Sequence, residues 1–238
     1  MFDVKENQDI INRFTKLRVT DVRDGMDWMG YHHYGSVHHS IRPLFRPRIS
    51  TVGIARTARY VPYEGPLPCL SPEEYTEWVQ MYYAEINNEP YNNDIQPGDF
   101  LCLDMTGQAG TLDVGLFGSN NTLNQKQRGC VGWLTNGGGA RDTDECVIQG
   151  INIWSTHISQ TMCQARMRFI EKNIPIGIGG VAVYPGDVVV ADGDGVIVVP
   201  RKAAYDVAKY AWQEASADKK GRKQHYINLG MAPDETLE

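Results

Sequence analysis

Apolar residues recur at helical spacing near the start of the chain, at Ile10, Ile11, Phe14 and Leu17, and predict a helix over about residues 6–17. Thr20 to Met29 reads as a second short helix with Thr20 as its N-cap. From Tyr31 to Pro47 the pattern breaks into His, Gly and Pro, which predicts an irregular segment. TVGIARTARYV (51–61) reads as a strand, and SPEEYTEWVQMYYAEI (71–86) as a helix with Ser71 as its cap, Pro72 at its first position and glutamates in its first turn. PGDFLCLD, from Pro97, and PGDVVVAD, from Pro185, each place a Pro-Gly turn before a short apolar strand ending in Asp. The repetition predicts two equivalent strand entries in one sheet system.

Between those two segments, TLNQKQRG (122–129) reads as a helix with Gly129 at its C-terminal end, and CVGWLT (130–135) as a strand. GVIVVP (195–200) supplies a closing strand, and a last helix runs from about Lys202 to Lys220 with Tyr205, Ala208, Trp212 and Ala215 along one face. No low-complexity linker separates two cores. The pattern predicts a single α/β domain over 1–238, with an N-terminal helical segment of about 1–30 and a C-terminal helix and tail of about 202–238.

Composition narrows the function. With 42% hydrophobic and 22% charged residues, 238 residues are enough to bury a sizeable core. A net charge of −6 argues against a polyanion-binding surface, so nucleic acid is not an expected partner. The start, MFDVKENQDIINRF, lacks the basic and then apolar order of a secretory signal. No apolar run approaches the roughly 20 residues that cross a bilayer, so no membrane partner is expected and the cytoplasm is the expected location. Cys69, Cys102, Cys130, Cys146 and Cys163 are scattered without a CxxC pair and read as reduced, mostly buried thiols.

The chemical signal lies around the helix at 122–129. GLFGSNN (115–121) precedes it, so the backbone N–H groups of Gly118 to Asn121 are expected to point forward from its positive end, a geometry suited to a carboxylate or phosphate. Ser119, Asn120 and Asn121 add neutral donors, although Gly, Ser and Asn are also ordinary loop residues. After the strand at 130–135 a second glycine turn, 136–139, delivers Arg141 and Asp142. A guanidinium grips a carboxylate or enolate oxygen in bidentate fashion, and an adjacent carboxylate holds a divalent metal directly or through water. A surface ion pair or a turn-capping aspartate accounts for the same two residues. Glu145 follows Asp142 by three and shares its face if a helix starts here, whereas Asp144 points elsewhere, so Glu145 is a candidate catalytic acid that meets the metal through water, although a helix N-terminus attracts acids without any function.

The order of glycine loop, helix, RGCVGWLTNGGGARDTDE and NIPIGIGGVAVYPGDVVVADGDGVIVVP resembles the RraA-like family, which includes the class II 4-hydroxy-4-methyl-2-oxoglutarate/4-carboxy-4-hydroxy-2-oxoadipate aldolases. VTDVRDGM and TVGIARTARYV extend the resemblance over most of the chain. It implies a swivelling β/β/α fold assembled as a homotrimer or homohexamer with the site at a subunit interface. It also implies that the backbone of Gly118, Ser119, Asn120 and Asn121 binds a pyruvyl carboxylate, that Arg141 binds the keto oxygen and steadies an enolate, and that Asp142 holds Mg²⁺ or Mn²⁺, mostly through waters. Two features depart from the aldolase pattern. GSNN is neutral where many members carry an acid in or beside the loop, and NGGGA lengthens the spacing to Arg141 by about one residue.

The expected activity is a metal-dependent lyase acting on a small oxo- or hydroxy-carboxylate, by retro-aldol cleavage or oxaloacetate decarboxylation. A hydrolase or β-eliminating lyase on the same site is the second expectation, and a non-catalytic regulator of a ribonuclease the third. His32, His33, His38 and His39 lack a metal-ligand spacing and read as exposed or interface histidines, with a proton relay as the functional alternative. ADGDGV (191–196) lacks the later ligands of a calcium loop and reads as a tight turn in which Asp192 and Asp194 are structural. His157 and Arg166 read equally well as substrate-facing or as packed residues.

Overall fold

The computed structural model describes residues 2–47, 49–66, 69–105 and 113–237. Two helices open the chain, α1 (Val4–Phe14) and α2 (Val19–Trp28). Asp3 caps α1 by accepting from the N–H groups of Lys5 and Glu6, both at 2.9 Å. Thr20 is not the cap of α2 but lies inside it. The helix starts one residue earlier because the Asp192 carboxylate accepts from the Val19 N–H at 2.9 Å, and Asp21 accepts from that of Arg18 at 2.8 Å. The segment from Tyr31 to Pro47 is irregular as expected, apart from a two-residue strand, β1 (Arg42–Pro43).

The long strand β2 (Thr51–Pro62) leads to α3 (Pro72–Met81), whose Ser71–Glu74 capping box fixes its start. The expected helix to Ile86 changes winding at Tyr82, where a π-helical turn spans Tyr82–Ile86 and a 3₁₀ turn follows at Pro90–Asp94. The chain continues through β3 (Asp99–Met105), β4 (Gly115–Phe117), α4 (Ser119–Gln127), β5 (Gly132–Thr135), β6 (Gly139–Ala140), α5 (Thr143–Ile148) and β7 (Ile153–Ser155). Then come β8 (Met167–Lys172), β9 (Ile176–Ile178), β10 (Val181–Val183), β11 (Val188–Ala191), β12 (Val196–Val199) and the terminal helix α6 (Ala204–Leu229).

Among the described residues the main sheet runs β1-β7-β5-β3-β2-β11-β12, with β8 pairing the far end of β2. The pairs β2/β3, β3/β5 and β5/β7 are parallel; the remaining pairs are antiparallel. The two Pro-Gly-Asp segments are equivalent, as the repetition predicts. They feed β3 and β11, the strands on either side of β2, and in each turn the Asp carboxylate accepts from the N–H three residues back, Asp99 from Gln96 at 2.8 Å and Asp187 from Tyr184 at 3.0 Å.

Both faces of this sheet are covered, so its strands read as apolar runs rather than alternating ones. Val188, Val190, Ile197 and Val199 pack under α1, α2 and α6, while Val189, Ala191, Val196 and Val198 pack with Phe100, Leu134, Trp154 and the β9–β10 hairpin. A further core, with Leu101, Leu103, Phe117, Trp133, Cys146 and Ile153, lies beneath the segments that carry the site. The apolar stripe of α6 is Ala204, Val207, Ala208, Ala211 and Ala215. Tyr205 and Trp212 flank it against α1, where Trp212 donates to the Arg13 carbonyl at 2.7 Å and the Arg13 guanidinium sits 4.7 Å over the Tyr205 ring.

Candidate functional site

Two very short parallel strands bring the site together. β4 and β6 pair with Gly115 opposite Gly139 and Phe117 opposite Ala140, and the Arg141 N–H donates to the Phe117 carbonyl at 2.8 Å. Their C-terminal ends therefore release α4 and the Arg141–Asp142 pair at one edge, where parallel α/β arrangements collect ligands.

α4 starts at Ser119, three residues earlier than the expected 122, with Gly118 as its N-cap. Ser119, Asn120 and Asn121 are thus the first turn itself, whose N–H groups lack intrahelical acceptors. Tertiary contacts hold them there. The Ser119 N–H faces Asp142 Oδ2 at 3.3 Å, Ser119 Oγ donates to Glu145 Oε2, and Asn121 Nδ2 donates to Glu89 Oε2 at 3.1 Å. No bond from the N–H of Asn120 or Asn121 to a side chain or loop occurs among the described residues, which leaves both for an anion.

The glycines act differently from expectation. None of Gly137, Gly138 and Gly139 has a positive φ; the left-handed residue is Asp142, at φ 54° and ψ 41°. What the glycines permit is contact. A Cβ on Gly115 would lie 2.7 Å from Arg141 Cδ, one on Gly118 2.9 Å from Asp142 Oδ2, and one on Gly139 2.8 Å from the His157 carbonyl. Aspartate tolerates the left-handed region better than most residues. There its carboxylate sits between two donors, with Arg141 Nε 3.3 Å from Oδ1 and the Ser119 N–H facing Oδ2.

Arg141 lays its stem over Gly115 and sets Nη1 against the Met162 sulfur, and its Nη2 has no partner among the described residues. Asp142 is the N-cap of α5 and Glu145 its third residue, so both acids address the first turn of α4, while Asp144 is exposed and joins neither. No group of three His, Cys, Asp or Glu side chains suited to a metal occurs among the described residues. The donor set, two hard carboxylates at an open edge, fits an ion that takes one or two protein oxygens and keeps its waters, the habit of Mg²⁺, and does not fit a closed zinc site.

Glu89 escapes the sequence reading. It stands thirty residues before Ser119, in a segment with no motif, yet its carboxyl bonds to the first turn of α4. Burial pushes that carboxyl above its ordinary range, against the lowering effect of Asn121 and Asn92. Cys163, next to Met162, likewise comes close: its sulfur lies 3.4 Å from Tyr83 Oη and 3.5 Å from Asn87 Nδ2. Burial raises the Cys163 thiol and those of Cys102, Cys130 and Cys146, and all five cysteines are free.

Other candidates fall elsewhere. His38 and His39 pack ring to ring at 4.0 Å, His38 bonds Ser40 and His32 meets Asp27; none of them contacts the site among the described residues. In the 191–196 turn, Asp192 Oδ1 accepts from the Asp194 N–H at 2.8 Å and Oδ2 caps α2, so the acid is structural as expected. Arg166 Nη1 donates to the carbonyls of Met162 and Gln164, at 3.1 and 3.2 Å. His157 borders the site through Gly139, with Nδ1 on Thr156 Oγ1 at 2.8 Å and a buried Nε2 that has no partner among the described residues.

A family model described as RraA-like, Aldolase/RraA, matches residues 19–198. A protein of Halalkalibacterium halodurans named "Putative 4-hydroxy-4-methyl-2-oxoglutarate aldolase" is 26% identical over 233 residues, covering 97% of this chain and 94% of that one. Among solved structures, an uncharacterized protein from Pseudomonas syringae pv. tomato superposes with a TM-score of 0.71 at 22% identity, covering 97% of this chain and 98% of that one. Streptomyces coelicolor RraAS2, described as an unusual member of the RNase ES inhibitor RraA protein family, superposes at 0.68 with 21% identity, covering 90% and 96%. These likenesses establish the fold, the mixed α/β architecture of RraA-like proteins framed by N- and C-terminal helices.

Proposed function

This chain belongs to the RraA-like family, and from that premise we propose that it is a divalent-metal-dependent carbon–carbon lyase. It cleaves a small 4-hydroxy-2-oxo acid, or decarboxylates oxaloacetate, through a pyruvate enolate. The observation that carries this reading is the convergence at one edge of the first turn of α4, the Arg141 fork and the Asp142–Glu145 carboxylates. The aldolase name of the Halalkalibacterium relative supports it.

Cleavage next to a carbonyl leaves negative charge on the former keto oxygen, and a fixed cation and aligned N–H groups stabilise that charge more than they stabilise the substrate. The N–H groups of Asn120 and Asn121, aided by the helix dipole, receive the substrate carboxylate. Arg141 reaches the keto oxygen with the part of its fork that Asp142 and Met162 do not occupy. Asp142, with Glu145 beside it, would hold Mg²⁺ or Mn²⁺, and that ion would supply Lewis-acid stabilisation of the developing negative charge. A homotrimer or homohexamer, with the site at a subunit interface in the cytoplasm, completes the proposal.

Pyruvate release from a panel of 4-hydroxy-2-oxo acids and oxaloacetate, with and without Mg²⁺, tests it. The expected result is Mg²⁺-dependent pyruvate from at least one of them. No pyruvate from any panel member overturns the lyase reading. The family's regulators supply the second reading, and a protein that inhibits a ribonuclease while lacking all turnover would establish it.

A further inference from the structure

Glu89 occupies an unusual position in the chain. It follows the π-helical turn Tyr82–Ile86 and takes φ 44° and ψ 53°, a left-handed conformation directly before Pro90. Proline's ring crowds the preceding residue and favours an extended backbone there. A non-glycine residue held in such a region is strained, and such strain concentrates where a side chain must be aimed. Here it aims the carboxyl: Oε2 accepts from Asn121 Nδ2 at 3.1 Å and from Asn92 Nδ2 at 3.0 Å. Asn121 is the third residue of α4. Glu89 therefore reaches the positive end of that helix from the Asn121 side, as Asp142 and Glu145 reach it through Ser119.

The contacts close into a ring. Arg141 touches Met162, and the neighbouring Cys163 meets Tyr83 and Asn87. Glu89, two residues beyond Asn87, meets Asn121, and Ser119 meets Asp142 and Glu145, which returns to Arg141. The Tyr83 hydroxyl lies within electrostatic reach of both Glu89 and Arg141. The titratable groups facing Glu89 are Tyr60, Tyr82, Tyr83 and Tyr91 from β2 and the α3–β3 connection, and Cys163 ahead of β8. Burial raises its carboxyl against the lowering effect of the two asparagine amides, and the Lys172 ammonium lies nearby, donating to the Pro90 carbonyl at 3.3 Å.

Resting on the lyase reading above, we propose that Glu89 is the proton-transfer residue of this site. Its carboxylate takes the proton of the C4 hydroxyl, the O–H electron pair becomes the new C=O bond, and the C3–C4 pair passes into the enolate of pyruvate. The carboxylic acid so formed gives the same proton to C3, the enolate pair forms the C–H bond, and the C2 carbonyl is restored. One proton moves from oxygen to carbon and Glu89 ends as it began. The acid that the neutral GSNN loop lacks is thus supplied by a residue thirty positions upstream.

The second half of that sequence runs alone when pyruvate is incubated with the protein and Mg²⁺ in D₂O, where methyl protons exchange and NMR reads the rate. Glu89→Gln keeps the shape and the reach toward Asn121 but cannot cycle a proton. It is expected to lower exchange by about 100-fold or more, in kcat rather than KM, and to remove the carboxyl limb of the pH–rate profile. Glu89→Ala provides an independent arm, in which added formate raises the exchange rate by standing in for the lost carboxylate. Parent-like exchange by folded Glu89→Gln, or a Glu89→Ala protein that formate leaves unchanged, overturns the role of Glu89 alone. A parent protein that neither exchanges nor cleaves overturns the lyase reading, and this inference with it.

Discussion

At the scale of single residues, the site depends on side chains whose geometry cannot be exchanged for charge alone. Arg141→Lys keeps the cation but loses the fork, so it is expected to lower kcat/KM by about 100-fold, about 3 kcal/mol of transition-state stabilisation. Steady-state kinetics on the best substrate checks this, and parent-like values would remove Arg141 from the chemistry. Glu89 yields a stability prediction that needs no substrate. Its carboxyl binds a proton more tightly in the fold than its ordinary value of 4.5 allows in the unfolded chain. The folded state therefore loses stability relative to the unfolded one as pH rises from that value through the raised one. Glu89→Gln escapes the loss, and the raised carboxyls of Asp99 and Asp187 are common to both proteins. The Tm of Glu89→Gln minus that of the parent should grow as pH rises above the ordinary carboxyl value of 4.5; a flat difference in thermal melts would contradict it. Arg141, Asp142, Glu145 and the loop at 118–121 were legible in the sequence because each pair is local and carries a spacing signal. Glu89 was not, since a left-handed residue before proline has no motif and its partner Asn121 is distant in sequence.

At the scale of elements, the β-branched runs and the Pro-Gly-Asp turns announced the strands around β2 because buried strands leave continuous apolar stretches. Helix ends were read less well, for different reasons. Ser119, Asn120 and Asn121 have weak helix propensity, and bonds to Glu145 and Glu89 from elsewhere in the fold override it. The last helix, expected to run to about Lys220, continues to Leu229 and ends at Gly230, whose φ of 64° makes the left-handed cap. The tail then folds back, with Arg222 Nη1 on the Thr236 carbonyl at 2.6 Å and Tyr226 Oη on Asp234 at 2.8 Å. The packing of α2 on α6 turns on Gly25, where a Cβ would lie 2.5 Å from the Val207 carbonyl and 2.8 Å from the Ala211 nitrogen. Both are backbone atoms, so the helices must separate. Gly25→Ala is expected to cost about 1–3 kcal/mol, read as a lowered denaturant midpoint, whereas an unchanged midpoint would show the interface to be compliant.

At the scale of the whole molecule, the far end of α6 is left uncovered. Ile227 and Leu229 are 71% and 72% exposed, and Met231 follows them. Glu214 is engaged within its own chain, where it accepts from Trp28 Nε1 at 2.8 Å. The proposed oligomer predicts that these apolar residues pack on a neighbouring subunit, and a monodisperse monomer in light scattering at micromolar concentration would contradict it. The central claim is that the edge between α4 and the Arg141–Asp142 pair cleaves carbon–carbon bonds with the help of a divalent ion. Its most direct test is pyruvate release by the parent and by Asp142→Ala, each measured against Mg²⁺ on the same panel of 4-hydroxy-2-oxo acids and oxaloacetate. The account predicts Mg²⁺-dependent release by the parent and none by a folded Asp142→Ala; undiminished release by Asp142→Ala would contradict it.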